Sequence, residues 1–71
     1  MRTVPLRSGE DTIRLGQLLK LADLVESGAG VKDVLASGAV RVNGESEERR
    51  GRQLRRGDVV SIEGGDEVRV G

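Results

Sequence analysis

Cysteine and histidine are absent from this 71-residue chain, as are phenylalanine, tyrosine and tryptophan. Without cysteine there is no disulfide framework and no thiolate metal site. Without histidine the commonest general base and metal ligand is missing, so neither a metal nor a cofactor is expected. Without aromatic rings the chain cannot stack unpaired bases as RRM and many OB-type domains do. No apolar run approaches the roughly 18 residues of a membrane-spanning helix, and Met1 to Asp11 lacks the apolar stretch of a signal peptide. A cytoplasmic protein that is not an enzyme and has no membrane association is therefore expected.

What is present is charge. Twelve basic and twelve acidic residues cancel to a net charge of zero, and 34% of residues are charged against 35% hydrophobic. Neutrality removes any global pull toward a polyanion, so such binding must rest on where the charges sit. A chain of this size buries only about 60% of its unfolded surface. It can form one small domain but not a deep substrate cavity as well.

Periodicity divides the chain. Residues 1–11 read as an extended lead-in, with Pro5 limiting local helix, and residues 12–71 as a single domain. Thr12 to Leu15 is ambiguous between a strand end and a helix start. Leu15, Leu18, Leu19, Ala22 and Val25 then form one helical stripe. Leu21 and Leu24 widen that stripe and predict cover on more than one side. Ser27 is suited to cap a second helix, Val31, Val34 and Leu35 supply its buried edge, and Gly38 stands where its C′ residue belongs. From Val40 the period becomes two, and Val40-Arg41-Val42 runs into Asn43-Gly44, a strong hairpin-turn signal. Charged residues fill positions 45 to 56, with Leu54 as the expected anchor of that loop. Gly57-Asp58 turns into the strand Val59 to Ile62, and Gly64-Gly65-Asp66 into a last one, Glu67 to Val70. The expected fold is α+β: two helices packed on a small twisted sheet of three or so short strands.

The ordered set Ser27, Gly38, Val40-Arg41-Val42-Asn43-Gly44 and Gly57-Asp58-Val59-Val60 resembles the S4 RNA-binding family with its αL motif. The strings Ile13 to Ala22 and Arg49 to Leu54 are similar to the small stand-alone S4-like proteins of bacteria. The resemblance spans residues 13 to 70. It implies an RNA-binding surface made by the second helix and the basic loop, with ribosomal or transfer-like RNA, or the ribosome itself, as the partner of a monomer. Many S4 domains carry two arginines after the capping serine; here those places hold Gly28 and Ala29. Backbone N–H groups at Ser27 and Gly28 would then be open to a phosphate, and Lys32 matches the family's basic position.

Arg49, Arg50, Arg52, Arg55 and Arg56 crowd five guanidinium groups into eight residues with no acid among them. The planar fork of arginine suits phosphate oxygens, and such repulsion is relieved by an anionic partner. The competing explanation is a solvated loop offset by Glu45, Glu47 and Glu48 just upstream. Arg41 and Lys20 are secondary candidates, the first equally able to blunt an edge strand and the second to pair with Asp23. Asp23, Glu26 and Asp33 have no nucleophile or base beside them and read as solvated helix faces. Arg56-Gly57-Asp58 reads as a hairpin turn, not an adhesion tripeptide. Two functions remain: binding of structured RNA through its backbone, and a protein adaptor using the acids at 45, 47, 48, 63, 66 and 67.

Overall fold

The computed structural model describes residues 2–25 and 28–71. Its elements are β1 (Arg2–Val4), β2 (Thr12–Arg14), α1 (Leu15–Leu21), α2 (Gly28–Ala36), β3 (Val40–Val42), β4 (Glu45–Ser46), β5 (Gln53–Arg55), β6 (Val59–Ile62) and β7 (Glu67–Val70). Five strands form one sheet in the order β1-β7-β6-β3-β4, antiparallel except where β1 runs parallel to β7. The other two, β2 and β5, make a separate antiparallel ribbon. This is the α+β arrangement expected of the sequence, with more strands than periodicity alone reveals.

The hairpin turn is set by backbone conformation. Asn43 and Gly44 have φ of 53° and 85°, the positive pair that a type I′ turn requires. The Asn43 side chain then reaches across the fold. Its amide donates to the Asp58 carboxylate at 3.1 Å and its carbonyl accepts the Val59 N–H at 2.9 Å. Asp58 in turn accepts the Arg55 N–H at 2.8 Å. The Asn-Gly and Gly-Asp turns, far apart in sequence, are thus clipped together. The Arg55 N–H, aided by the Asn43 amide, holds the Asp58 carboxyl below its ordinary value. Its oxygens are committed to structure, consistent with a turn at Arg56-Gly57-Asp58.

The valines of the sheet alternate. Val40, Val42, Val60, Val68 and Val70 are buried, while Arg41, Glu67 and Arg69 point away from the core. Against the valines pack Leu15, Leu18 and Leu19 of α1, Val31 and Leu35 of α2, and Leu54 of the ribbon. Burial of these side chains is the main driving force for a domain this small.

Two expectations about α1 are corrected. The stripe predicts a helix as far as Val25, but it ends at Leu21. Asp23 adopts φ 61°, its N–H bonds to the Lys20 carbonyl, and the Leu24 N–H bonds to the Leu19 carbonyl. That pair of bonds is a Schellman cap, built here on Asp where glycine is usual. Asp23 is therefore the helix stop, not a position on its solvated face, and the cap swings Leu24 and Val25 back to lie half-buried against the core. Leu21, expected to be covered, is 54% exposed.

At α2, Gly38 has the positive φ of a C′ residue and donates its N–H to the Leu35 carbonyl, as anticipated. Ser27, the expected cap, lies outside the described residues. The lead-in is extended over β1, whose Val4 is buried beside Val70, but it turns at residues 8–9, where the Glu10 N–H bonds to the Arg7 carbonyl. Arg2 reaches from β1 to the carbonyl of Ala22 at the end of α1.

Replacing Asn43 with alanine removes both cross-fold bonds and leaves a β-carbon at positive φ. A loss of about 1–3 kcal/mol is expected, read by urea denaturation with far-ultraviolet circular dichroism. A change below about 0.5 kcal/mol, the scatter of ordinary surface substitutions, would show that the clip is not stabilising.

Candidate nucleic-acid interface

A seven-residue helix begins with N–H groups that have no partner within the helix, and something must satisfy them. In α1 the loop of arginines does so. The Leu15 N–H donates to the Arg52 carbonyl and the Gly16 N–H to the Arg50 carbonyl, each at 2.9 Å. Just before them, β2 pairs with β5 so that Ile13 faces Leu54, and both side chains are buried. The basic loop is thereby held at two ends, by the ribbon and by the helix start. Leu54 is its anchor, as anticipated, and it anchors as the centre of a strand.

Gly16 brings a third element to the same place. A β-carbon there would lie 3.5 Å from both the Arg50 carbonyl and Cγ1 of Val31. The arginine loop, the start of α1 and the first half of α2 therefore meet at one residue. Lys32, the residue after Val31 on α2, is exposed. Gly28 opens α2, whereas Ser27 is outside the described residues.

The loop is not uniformly cationic. Glu47 is 7% exposed and lies beneath two of the arginines. Arg49 grips its carboxylate with Nε at 3.4 Å and Nη2 at 3.2 Å, and Arg52 adds Nη1 at 3.2 Å. The N–H groups of Glu48 and Arg49 also donate to it, at 3.0 and 3.3 Å. Hydrogen bonding from Arg49 is the largest cause that lowers the Glu47 pKa from 4.5 to about 2, against burial, which raises it. Upstream acid does offset part of the arginine charge, and it does so from inside the loop. Glu47 is also withdrawn from the acidic surface that an adaptor would present.

The remaining cations sort by face. Arg50, Lys20 and Arg14 line a cleft of about 310 Å³ between α1 and the loop, completed by Gly16, Gln17 and Gly51, with no carboxylate in its walls. Arg14 and Arg55 stand on the outer side of the ribbon, since Ile13 and Leu54 take the inner one. Arg56 is exposed in the following turn. Arg50, Arg55 and Arg56 make no side-chain ion pair among the described residues. Arg41 projects from the sheet surface turned away from the core, opposite Ser46 and Ser61. Arg14 was missed in sequence because an isolated arginine in a short β run reads as strand alternation. Its presence one residue before a helix whose cap is a basic loop was the available signal.

The described helices include none long and apolar enough to cross a membrane. A family model described as an S4 domain matches residues 4–71. The chain is similar to a probable ribosome maturation protein, RlbA, of Bacillus subtilis (strain 168), with 50% identity over 60 residues covering 84% of each chain. It is also similar to YbcJ of E. coli, with 37% identity and a TM-score of 0.71 over 99% of this chain and 86% of the other. The solution structure of YbcJ is described as revealing an αL motif involved in RNA binding.

The Glu47 carboxylate makes a pH prediction. Because its folded pKa is lowered, its contribution to stability is complete above about pH 4.5 and is lost as pH falls toward 2. Asp58, lowered in the same sense, shares this acid limb. Glu47→Gln is expected to cost about 1–3 kcal/mol at neutral pH and to flatten the limb between pH 4.5 and 2. Parallel urea titrations across that range test it; a variant whose limb has the wild-type slope would contradict the assignment.

Proposed function

This chain belongs to the S4 domain family, and on that basis we propose that it binds structured RNA by its phosphate backbone, with ribosomal RNA as the target. One observation carries the reading: three cations from different elements, Arg14, Lys20 and Arg50, converge on a cleft free of acids. A protein of zero net charge gathers such an acid-free wall of cations at a cost in mutual repulsion, which a phosphate relieves. Arg55 on the ribbon and Lys32 on α2 extend the surface on either side, and Arg49 and Arg52 border it. Arg56 and Gly28 are peripheral contacts in this reading, and Arg41 reaches RNA only if the strand wraps around the sheet edge.

The two arginines at Glu47 act differently from those in the cleft. Sharing one carboxylate, they keep a surplus of one positive charge. Their main work is to hold the loop in shape before RNA arrives, which lowers the ordering cost of binding. The target follows from likeness: RlbA is named as a probable ribosome maturation protein, which supports a ribosomal RNA over other folded RNAs.

Binding of a labelled ribosomal RNA fragment, followed by fluorescence anisotropy across salt concentrations, tests the proposal. With about four phosphates engaged, the log–log salt slope should be about −3. Lys20→Glu with Arg50→Glu should reduce its magnitude by about 2. Arg41→Glu should change it least. Affinity that is flat with salt, or indifferent to the double reversal, would overturn the function.

A further inference from the structure

A second cavity of about 200 Å³ adjoins the cationic cleft and shares Gln17 and Lys20 with it. Its chemistry is different. Pro5, Leu6, Ile13 and Leu21 supply an apolar lining, while Arg7 and Lys20 stand among its walls with Glu10. The lining is built in. The Leu6 N–H bonds to the Gly71 carbonyl at 3.2 Å, the Glu10 N–H closes a turn on the Arg7 carbonyl at 3.0 Å, and Ile13 belongs to the core. Leu21 is the exposed large hydrophobic side chain among the described residues, and it stands at this cavity. Leu21 is not part of the core.

We propose that this cavity receives one unstacked nucleobase of the RNA whose phosphates occupy the cleft. The inference rests on the RNA-binding reading and deepens it from backbone contact to base contact. The two compartments separate the two halves of a nucleotide. The acid-free cleft suits the phosphate, whereas the largely apolar walls of the cavity suit a base, from whose amine the Glu10 carboxylate can accept a hydrogen bond. Lys20 borders both and bridges them. A volume of about 200 Å³ accommodates one planar base. In a protein with no aromatic residue, a base is held by aliphatic walls, with the Arg7 guanidinium available to lie across its face.

The test uses the full isotope-labelled chain and nuclear magnetic resonance. Cytidine 5′-monophosphate is expected to shift the amides of Leu6, Arg7 and Leu21, which line only the apolar cavity, while ribose 5-phosphate shifts those of Gly16, Arg50 and Gly51 alone. Leu21→Gln keeps a helix-forming residue at an exposed site and should abolish the first set while leaving the second. It should weaken binding to an RNA hairpin with a single-nucleotide bulge about tenfold, leaving the salt slope and the affinity for an uninterrupted duplex unchanged. Identical shifts from the two small molecules would overturn the base cavity. So would a variant that binds bulged RNA like wild type, or that loses both RNAs equally. In each of those cases salt-dependent binding persists and the backbone reading stands. If no RNA binds with salt dependence, both fall.

Discussion

Two backbone hydrogen bonds join the start of α1 to the carbonyls of Arg50 and Arg52, and the candidate surface depends on them. A helix of seven residues cannot persist on its own, because nucleation consumes most of what so few bonds return. Here the first N–H groups are taken up by the loop, and three leucines are driven into the valine face of the sheet. The same bonds hold a loop that would otherwise spread under its own charge. Helix and loop stabilise one another, and the cleft between them is the product.

Charge is arranged in layers around that junction. Glu47, nearly covered, binds Arg49 and Arg52 and gives the loop an internal counterion. Arg14, Lys20 and Arg50 are left facing a shared space without an acid. A neutral protein can in this way present a local positive field, because at physiological salt only charges within about a Debye length, roughly 8 Å, matter to a docked phosphate. Glu63, Asp66 and Glu67, three of the twelve acids that bring the total to zero, lie between β6 and β7 and at the start of β7. The net charge that seemed to weigh against nucleic acid says little once the charges have positions.

Recognition of the fold from sequence was strongest where local chemistry dictates local conformation. Asn43-Gly44 demands positive φ at two successive residues, and Gly38 demands it at a helix end. Alternation in Val40-Arg41-Val42 sets one inward face. Recognition was weaker where a segment is short. β1, β2 and β5 have three residues each, too few to show a period, and each owes its existence to a partner far along the chain. The overlong reading of α1 failed because an apolar stripe continues past Asp23, whereas the helix stops on a left-handed aspartate that hydropathy does not register. Five arginines in eight residues mark one loop by composition alone. Their division into two braced by Glu47, one in the cleft and two elsewhere depends on which way each side chain leaves a strand or turn.

By itself the sequence determined the class of fold, the turn positions, the stripe of core leucines and the loop in which positive charge is concentrated. These follow from propensity and periodicity, which act between near neighbours. Only the tertiary structure decided that Arg14 joins Lys20 and Arg50, that Glu47 is an internal counterion, and that Leu21 borders a cavity instead of lying in the core. Those outcomes come from pairing β2 with β5 across some forty residues. Electrostatics and burial act through space, so a cleft assembled from residues 14, 20 and 50 has no signature in their order along the chain.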